Sequence, residues 1–105
     1  MRAVIPDPIR EWEMIQAFRC GETRELFETG KSRSFAAIKP VAERKLQMLD
    51  SASTLDFLRS PPANRLEALS CDRKGQHSIR VNSQWRVCFG WIGKGPVNVE
   101  IVDYR

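Results

Sequence analysis

The residues best suited to chemistry are concentrated in the run Asn64 to Phe89, NRLEALSCDRKGQHSIRVNSQWRVCF, and in the ending VEIVDYR. Arg80 and Arg86 fall at alternating positions of expected strands. Arg73 and Lys74 sit in the turn-forming DRKG segment, and the chain closes on Asp103, Tyr104 and Arg105. A cationic, aromatic-edged sheet surface of this kind suits a phosphodiester. Charge placement agrees: residues 1–63 carry ten Lys/Arg against nine Asp/Glu, whereas residues 71–94 carry five against one. A compact basic patch attracts an RNA backbone by releasing condensed counterions, although a net charge of +4 is common among small domains that touch no nucleic acid.

Other chemistries are disfavoured. Cys20, Cys71 and Cys88 are an odd, widely spaced set, which argues against a disulfide framework and for a reducing compartment. His77 is the only histidine, and there is no C-x-x-C, His pair or calcium-type acidic loop. No metal and no cofactor is therefore expected. No apolar stretch approaches membrane-spanning length, and MRAVIPDPIREWE mixes charges with two prolines where a signal segment would be apolar. The expected location is the cytoplasm, with no membrane contact.

The elements that must position these residues follow from periodicity. At 105 residues with 42% apolar content, the chain suits one domain with one modest core. Residues 1–13 read as a tail, because Pro6 and Pro8 oppose regular structure. Met14 to Phe18 suits a short strand, and GETRELFETG suits a short helix ending at Gly30, with Leu26 and Phe27 facing the core. Ile38, Val41, Ala42, Leu46 and Leu49 form one stripe of a helix within Ser34 to Ser51, whose regular part begins near Lys39 or Pro40. Ser53 is placed to cap a brief helical turn over Leu55 to Leu58, and Ser60-Pro61-Pro62 ends helical character. Strands are expected over Asn64 to Leu69, Gln76 to Val81, Trp85 to Ile92 and Val97 to Tyr104. The fold class is α+β, with two N-terminal helices packed on one face of a mainly antiparallel sheet of about four to five strands.

Strand alternation divides the side chains between two faces. Ile79 and Val81, then Trp85, Val87, Phe89 and Trp91, then Val97, Val99 and Ile101 are expected under the helices. Ser78, Arg80 and Asn82, Arg86 and Cys88, and Asn98, Glu100, Val102 and Tyr104 share the other, open face, so Arg80, Arg86 and Tyr104 converge. Polar residues on the wet face of an antiparallel sheet are ordinary, so the alternation alone establishes no ligand. Trp85, Phe89 and Trp91 are assigned to the core and not to base stacking. His77 borders the basic loop, but a lone histidine at a strand start is usually structural. Arg73 and Lys74 either solvate a turn or grip a phosphate.

The opening MIQAF, the helix VAERKLQMLDSA, the segments DRKGQHSIRVN and QWR, and the closing DY together strongly resemble the HigB-type (host-inhibition, or killer) toxins of bacterial toxin–antitoxin pairs, within the RelE/ParE superfamily. The resemblance covers Met14 to Arg105, with Met14 at the usual family start and residues 1–13 as an extension. It implies a RelE-like, microbial-ribonuclease-like fold and a toxin that enters the ribosomal A site to cleave mRNA. Its neutralising partner would be a HigA-type helix-turn-helix antitoxin, with operator DNA bound only through that antitoxin. By the same resemblance, Arg86 supports the phosphate in the transition state, Gln84 and Tyr104 orient the RNA, and Asp103 is the carboxylate preceding that aromatic. Arg73, Lys74, Arg80 and His77 complete the expected RNA contacts.

Three departures bear on activity. Many family members carry lysine then glycine where this chain has Ser70 and Cys71, histidine where it has Arg105, and in some cases histidine where it has Glu67. Arginine stays protonated and cannot shuttle a proton at neutral pH. Glu67 is then the remaining candidate base, with Tyr104 or His77 as acid and Arg105 able only to stabilise charge. The expectation is a weak ribosome-dependent endoribonuclease that needs no metal. The alternatives are a relative kept for antitoxin binding and promoter control or, less in keeping with DRKGQHSIRVN and QWR, a gyrase inhibitor.

Overall fold

A computed structural model of the chain describes residues 14–93 and 95–103. The expected extension over residues 1–13, and Tyr104 and Arg105 at the end, lie outside the described residues. Helix α1 spans Gly21–Thr29 and α2 spans Lys39–Ser51; the strands are β1 Glu67–Ala68, β2 Gln76–Arg80, β3 Trp85–Ile92 and β4 Gly95–Asp103. They form one antiparallel sheet in the order β1-β2-β3-β4, and the helices pack on one face of it. This is the α+β arrangement expected from the pattern.

Each helix ends where its local chemistry dictates. Gly30 adopts the left-handed conformation (φ 76°) and its N–H donates to the Leu26 carbonyl at 2.9 Å, closing α1. Pro40 sits in the first turn of α2, where its missing N–H has no helical partner to lose, and a short 3₁₀ turn over Ala36–Ile38 precedes it. The α2 stripe then buries Ala42, Leu46 and Leu49 against Leu26, Ile79, Val87, Phe89, Val99 and Ile101. Trp85 closes one side of this core edge-on to Phe35, with ring centroids 5.7 Å apart.

The entering chain is fastened along the outer edge of β4. Arg19 N–H donates to the Val99 carbonyl (3.0 Å), Val99 N–H to Ala17 (3.1 Å) and Gln16 N–H to Pro96 (2.9 Å), with one parallel bridge between Phe18 and Val99. The expected strand over Met14 to Phe18 is thus realised as a brief parallel pairing. Two buried side chains complete the edge: the Thr23 hydroxyl accepts from Ile101 N–H (3.1 Å), and the Asp50 carboxylate accepts from Ile15 N–H (3.0 Å). A backbone N–H removed from water needs such a partner, so α1 and α2 are tied to the sheet by polar contacts as well as by apolar burial.

Four local expectations are corrected. The cap of the Leu55–Arg59 3₁₀ turn is Thr54, whose hydroxyl accepts from Phe57 N–H, and not Ser53. The strand expected over Asn64 to Leu69 shrinks to Glu67–Ala68, because Pro62–Asn64 is a 3₁₀ turn and Arg65 is left-handed (φ 47°). Val97 leaves the helix-facing side: Asn98 is left-handed (φ 52°) and one extra β4 residue lies between the Cys88–Glu100 and Gly90–Val97 pairs. Val97 therefore stands over Gly90, where a Cβ would meet its methyl at 3.2 Å. Finally, the face opposite the helices is less open than expected, with Ser78, Arg86 and Cys88 all buried.

Asn64 explains the second correction. It is fully buried; its Nδ2 donates to the carbonyls of Leu58 (3.1 Å) and Ser60 (3.4 Å), and its Oδ1 accepts from Lys45 Nζ. These bonds bracket the segment between α2 and β1. Asn64→Ala leaves buried carbonyls without that donor and should lower stability by about 2–3 kcal/mol. The check is urea unfolding, with a lower midpoint at an unchanged m-value.

Candidate active site

Arg86 lies near the start of β3 on the sheet face away from the helices, and it is only 8% exposed. A buried guanidinium needs its N–H groups satisfied. Its Nε donates to the Ser78 hydroxyl at 2.7 Å and its Nη2 to the Arg65 carbonyl at 2.6 Å. The left-handed turn at Arg65 is what presents that carbonyl. Glu67, on the short strand β1, lies with Oε1 3.6 Å from Arg86 Nη2 and is itself exposed. The candidate base and the arginine expected to support the phosphate are thus adjacent, in keeping with the pairing of Glu67 with Ser78 across β1 and β2.

Arg80 is the direct cross-strand partner of Arg86, so both point to the same face. Its Nε donates to the Asn82 carbonyl (3.2 Å), which anchors it to the β2–β3 turn. The next pair along the sheet is Trp85 with Asp103. The Gln84 amide donates to Asp103 Oδ2 at 3.0 Å, so these two expected site residues are brought together at the end of the sheet nearest Arg86.

The basic loop is divided in its loyalties. Arg73, at the end of the Cys71–Arg73 3₁₀ turn, reaches across the sheet to Glu100 on β4 (2.8 Å) and also donates to Gln76 (3.2 Å). Arg19 approaches the same Glu100 carboxylate at 3.8 Å. Lys74 is exposed in the turn that follows, and Ser70 is exposed before it. The Arg73–Glu100 bridge passes beside Cys88, which is fully buried between Ser78 and Glu100 in cross-strand register. Burial pushes the Cys88 thiol above its usual value, and the neighbouring Arg73 draws it back.

His77 does not join this face. Its ring stacks on Phe89 (centroids 6.2 Å apart, 27° between planes), on the helix side of β2, beside a cleft of about 330 Å³ lined by Leu55, Asp56, Arg59 and Leu66. Its Nδ1 is buried without a hydrogen-bond partner. Tyr104 and Arg105, both expected in the site, lie outside the described residues. No group of three or more metal-ligating side chains occurs among the described residues, and no helix there is long and apolar enough to cross a membrane. Ser78, the Arg65 carbonyl and Glu100 were not singled out as site residues by sequence. For Ser78 the signal was available, since alternation places it beside Arg86.

Comparison with known proteins decides the family. A family model described as the RelE-like toxin of type II toxin-antitoxin system HigB matches residues 16–105. The chain belongs to the HigB-like toxin family. It is similar to Toxin HigB-1 of Vibrio cholerae, 46% identical over 70 residues that span 67% of this chain and 74% of that protein. It is also similar to Endoribonuclease HigB of Proteus vulgaris, 30% identical over 94 residues that span 88% of this chain and all of that protein. The two helices and four-stranded antiparallel sheet agree with a RelE-like fold. As a HigB toxin, the protein is one half of a type II pair, and an antitoxin is its partner.

The bridge over the sheet of this HigB toxin has a chemical consequence. Cys88 should resist iodoacetamide at pH 8 in the folded protein, while half-exposed Cys20 is alkylated. Glu100→Ala releases Arg73 and should speed Cys88 labelling, followed by peptide mass mapping. An unchanged rate would mean that the bridge does not guard the thiol.

Proposed function

We propose that this toxin is an endoribonuclease that cleaves mRNA on the ribosome without a metal ion, and so arrests translation in the cytoplasm. The observation that carries the reading is the Arg86 guanidinium, locked in place with Glu67 3.6 Å away and Arg80 in register beside it. The Proteus vulgaris relative is named an endoribonuclease, which supports the same chemistry. The reading concerns the toxin unit from Met14 to Arg105, with residues 1–13 as an extension.

RNA cleavage of this kind removes the 2′-hydroxyl proton, lets that oxygen attack the adjacent phosphorus, and protonates the departing 5′-oxygen. Glu67 is exposed and takes the first proton. Arg86 holds the charge that develops on the phosphate; being preorganised, it does so without reorienting during the reaction. Arg80 and Lys74 extend the cationic track for the RNA backbone, with Arg73 contributing from its bridge to Glu100. Gln84 and Asp103, already bonded to one another, orient the nucleotide together with Tyr104. The acid is assigned to Tyr104, since His77 lies on the other side of the sheet. Arg105 supports charge without moving a proton, and Ser70 withholds a cation, so turnover is slow. The neutralising partner is a HigA-type helix-turn-helix antitoxin, and operator DNA is reached only through it.

Arg86→Ala should reduce mRNA cleavage by about a hundredfold, roughly 3 kcal/mol, in folded protein. Primer extension after brief induction should find cuts in frame with codons. If purified toxin leaves mRNA intact on programmed ribosomes, the enzyme reading fails and a co-repressor role replaces it. Arg105→His should raise the cleavage rate by restoring a group that can exchange a proton near neutral pH.

A further inference from the structure

Arg86 Nε meets one side chain on the sheet, the Ser78 hydroxyl, at 2.7 Å, with Ser78 fully buried. Ser78 lies on β2 directly between the two outer parts of the site: Glu67 is its partner on β1 and Cys88 its partner on β3. Arg86 is two pairs further along the same two strands, on the same face and opposite Arg80. We propose that Ser78 is a positioning residue for cleavage, setting the plane of the Arg86 guanidinium against the scissile phosphate. The inference rests on the nuclease reading above.

The geometry explains why a second anchor is needed. The Arg65 carbonyl holds the guanidinium at Nη2, and a single contact of that kind fixes one atom but leaves the plane free to turn about it. A second hydrogen bond at Nε, beside Nη2 on the same edge of the planar group, fixes the rotation as well as the position. Glu67, at 3.6 Å, pulls on the same Nη2 and would turn an unanchored fork toward itself. The Ser78 acceptor opposes that pull. Charge on the phosphate grows in the transition state, so an error in the plane of the donor lowers the rate more than it lowers binding.

The test compares single-turnover cleavage of ribosome-bound mRNA by full-length toxin variants. Ser78→Ala should slow the chemical step about tenfold while the RNA concentration giving half-maximal rate stays close to wild type, measured at a temperature where circular dichroism shows the variant fully folded. Ser78→Thr keeps the acceptor on a strand that suits a β-branched residue, and should restore most of the rate. In an Arg86→Lys background, which has no Nε fork to orient, Ser78→Ala should bring no further loss. An equal loss in both backgrounds would overturn the proposal, since Ser78 would then act through packing alone. A wild-type rate for Ser78→Ala alongside a crippled Arg86→Ala would overturn it while leaving the nuclease reading intact. Wild-type rates for both variants would remove the role given to Arg86 and this inference together, whereas absence of cleavage by the wild-type toxin would remove the nuclease reading.

Discussion

One buried positive charge organises the sheet of this toxin. Removing a guanidinium from water is unfavourable by several kcal/mol unless its donors are met. Arg86 sits at 8% exposure near the start of an interior strand, and neighbouring backbone and side chains surround it. Arg65 adopts a left-handed conformation that a non-glycine residue rarely takes, and its carbonyl accepts from Arg86 as a result. On β2, two residues before Arg80, the cross-strand partner of Arg86, stands a small hydroxyl that accepts from Arg86, and the first strand is reduced to two residues that hold Glu67 in line. An apolar residue at position 86 would pack more easily. The polar surroundings therefore mark Arg86 as kept for its charge.

The rest of the architecture keeps that face rigid. The helices lie on the other side of the sheet, and their apolar stripe supplies the core. Thr23 and Asp50 add polar anchors, one to β4 and one to the entering chain. Asn64 closes the connection that leads into Arg65 and Glu67 by bonding back to α2 and to the preceding turn. The left-handed turn at Arg65 thus begins directly after a fully buried residue. Position 86 is held from both directions along the chain, by β3 itself and by a loop whose root cannot move.

Much of this was legible in the sequence, and the exceptions have identifiable causes. The α2 stripe and the Gly30 stop follow from periodicity and from a glycine in a cap position, both local signals. Alternation placed Arg80 and Arg86 together correctly, and it also accounts for His77, which shares parity with the buried Ile79 and so turns to the helix side. Val97 was misplaced because a single left-handed Asn98 inserts a residue into β4, and a period-two argument cannot see an insertion. Asn64 to Leu69 looked like a strand because it mixes apolar and polar residues. Its fate is decided instead by Asn64 finding buried carbonyls contributed by residues before it, and by Lys45 some 19 positions earlier. The burial of Arg86 and Cys88 was hidden for a similar reason: the covering contacts come from Arg65 and Arg73, outside the strands that carry them.

Two arginines of the proposed RNA face stand in opposite electrostatic situations. Arg86 donates to two neutral oxygens, the Ser78 hydroxyl and the Arg65 carbonyl, and the carboxylate beside it, Glu67 at 3.6 Å, is exposed to solvent. Arg73 is paired with a carboxylate that is only 16% exposed and is approached by a second arginine, Arg19. A phosphate arriving at Arg73 would replace one anion with another, and the Glu100 carboxylate left behind would retain only the more distant Arg19. That exchange gains little, whereas a phosphate arriving at Arg86 meets a charge whose desolvation has already been offset by folding. Affinity for the RNA backbone would on this account be spread over the exposed cations, and rate enhancement concentrated at the one guanidinium the fold has buried and oriented.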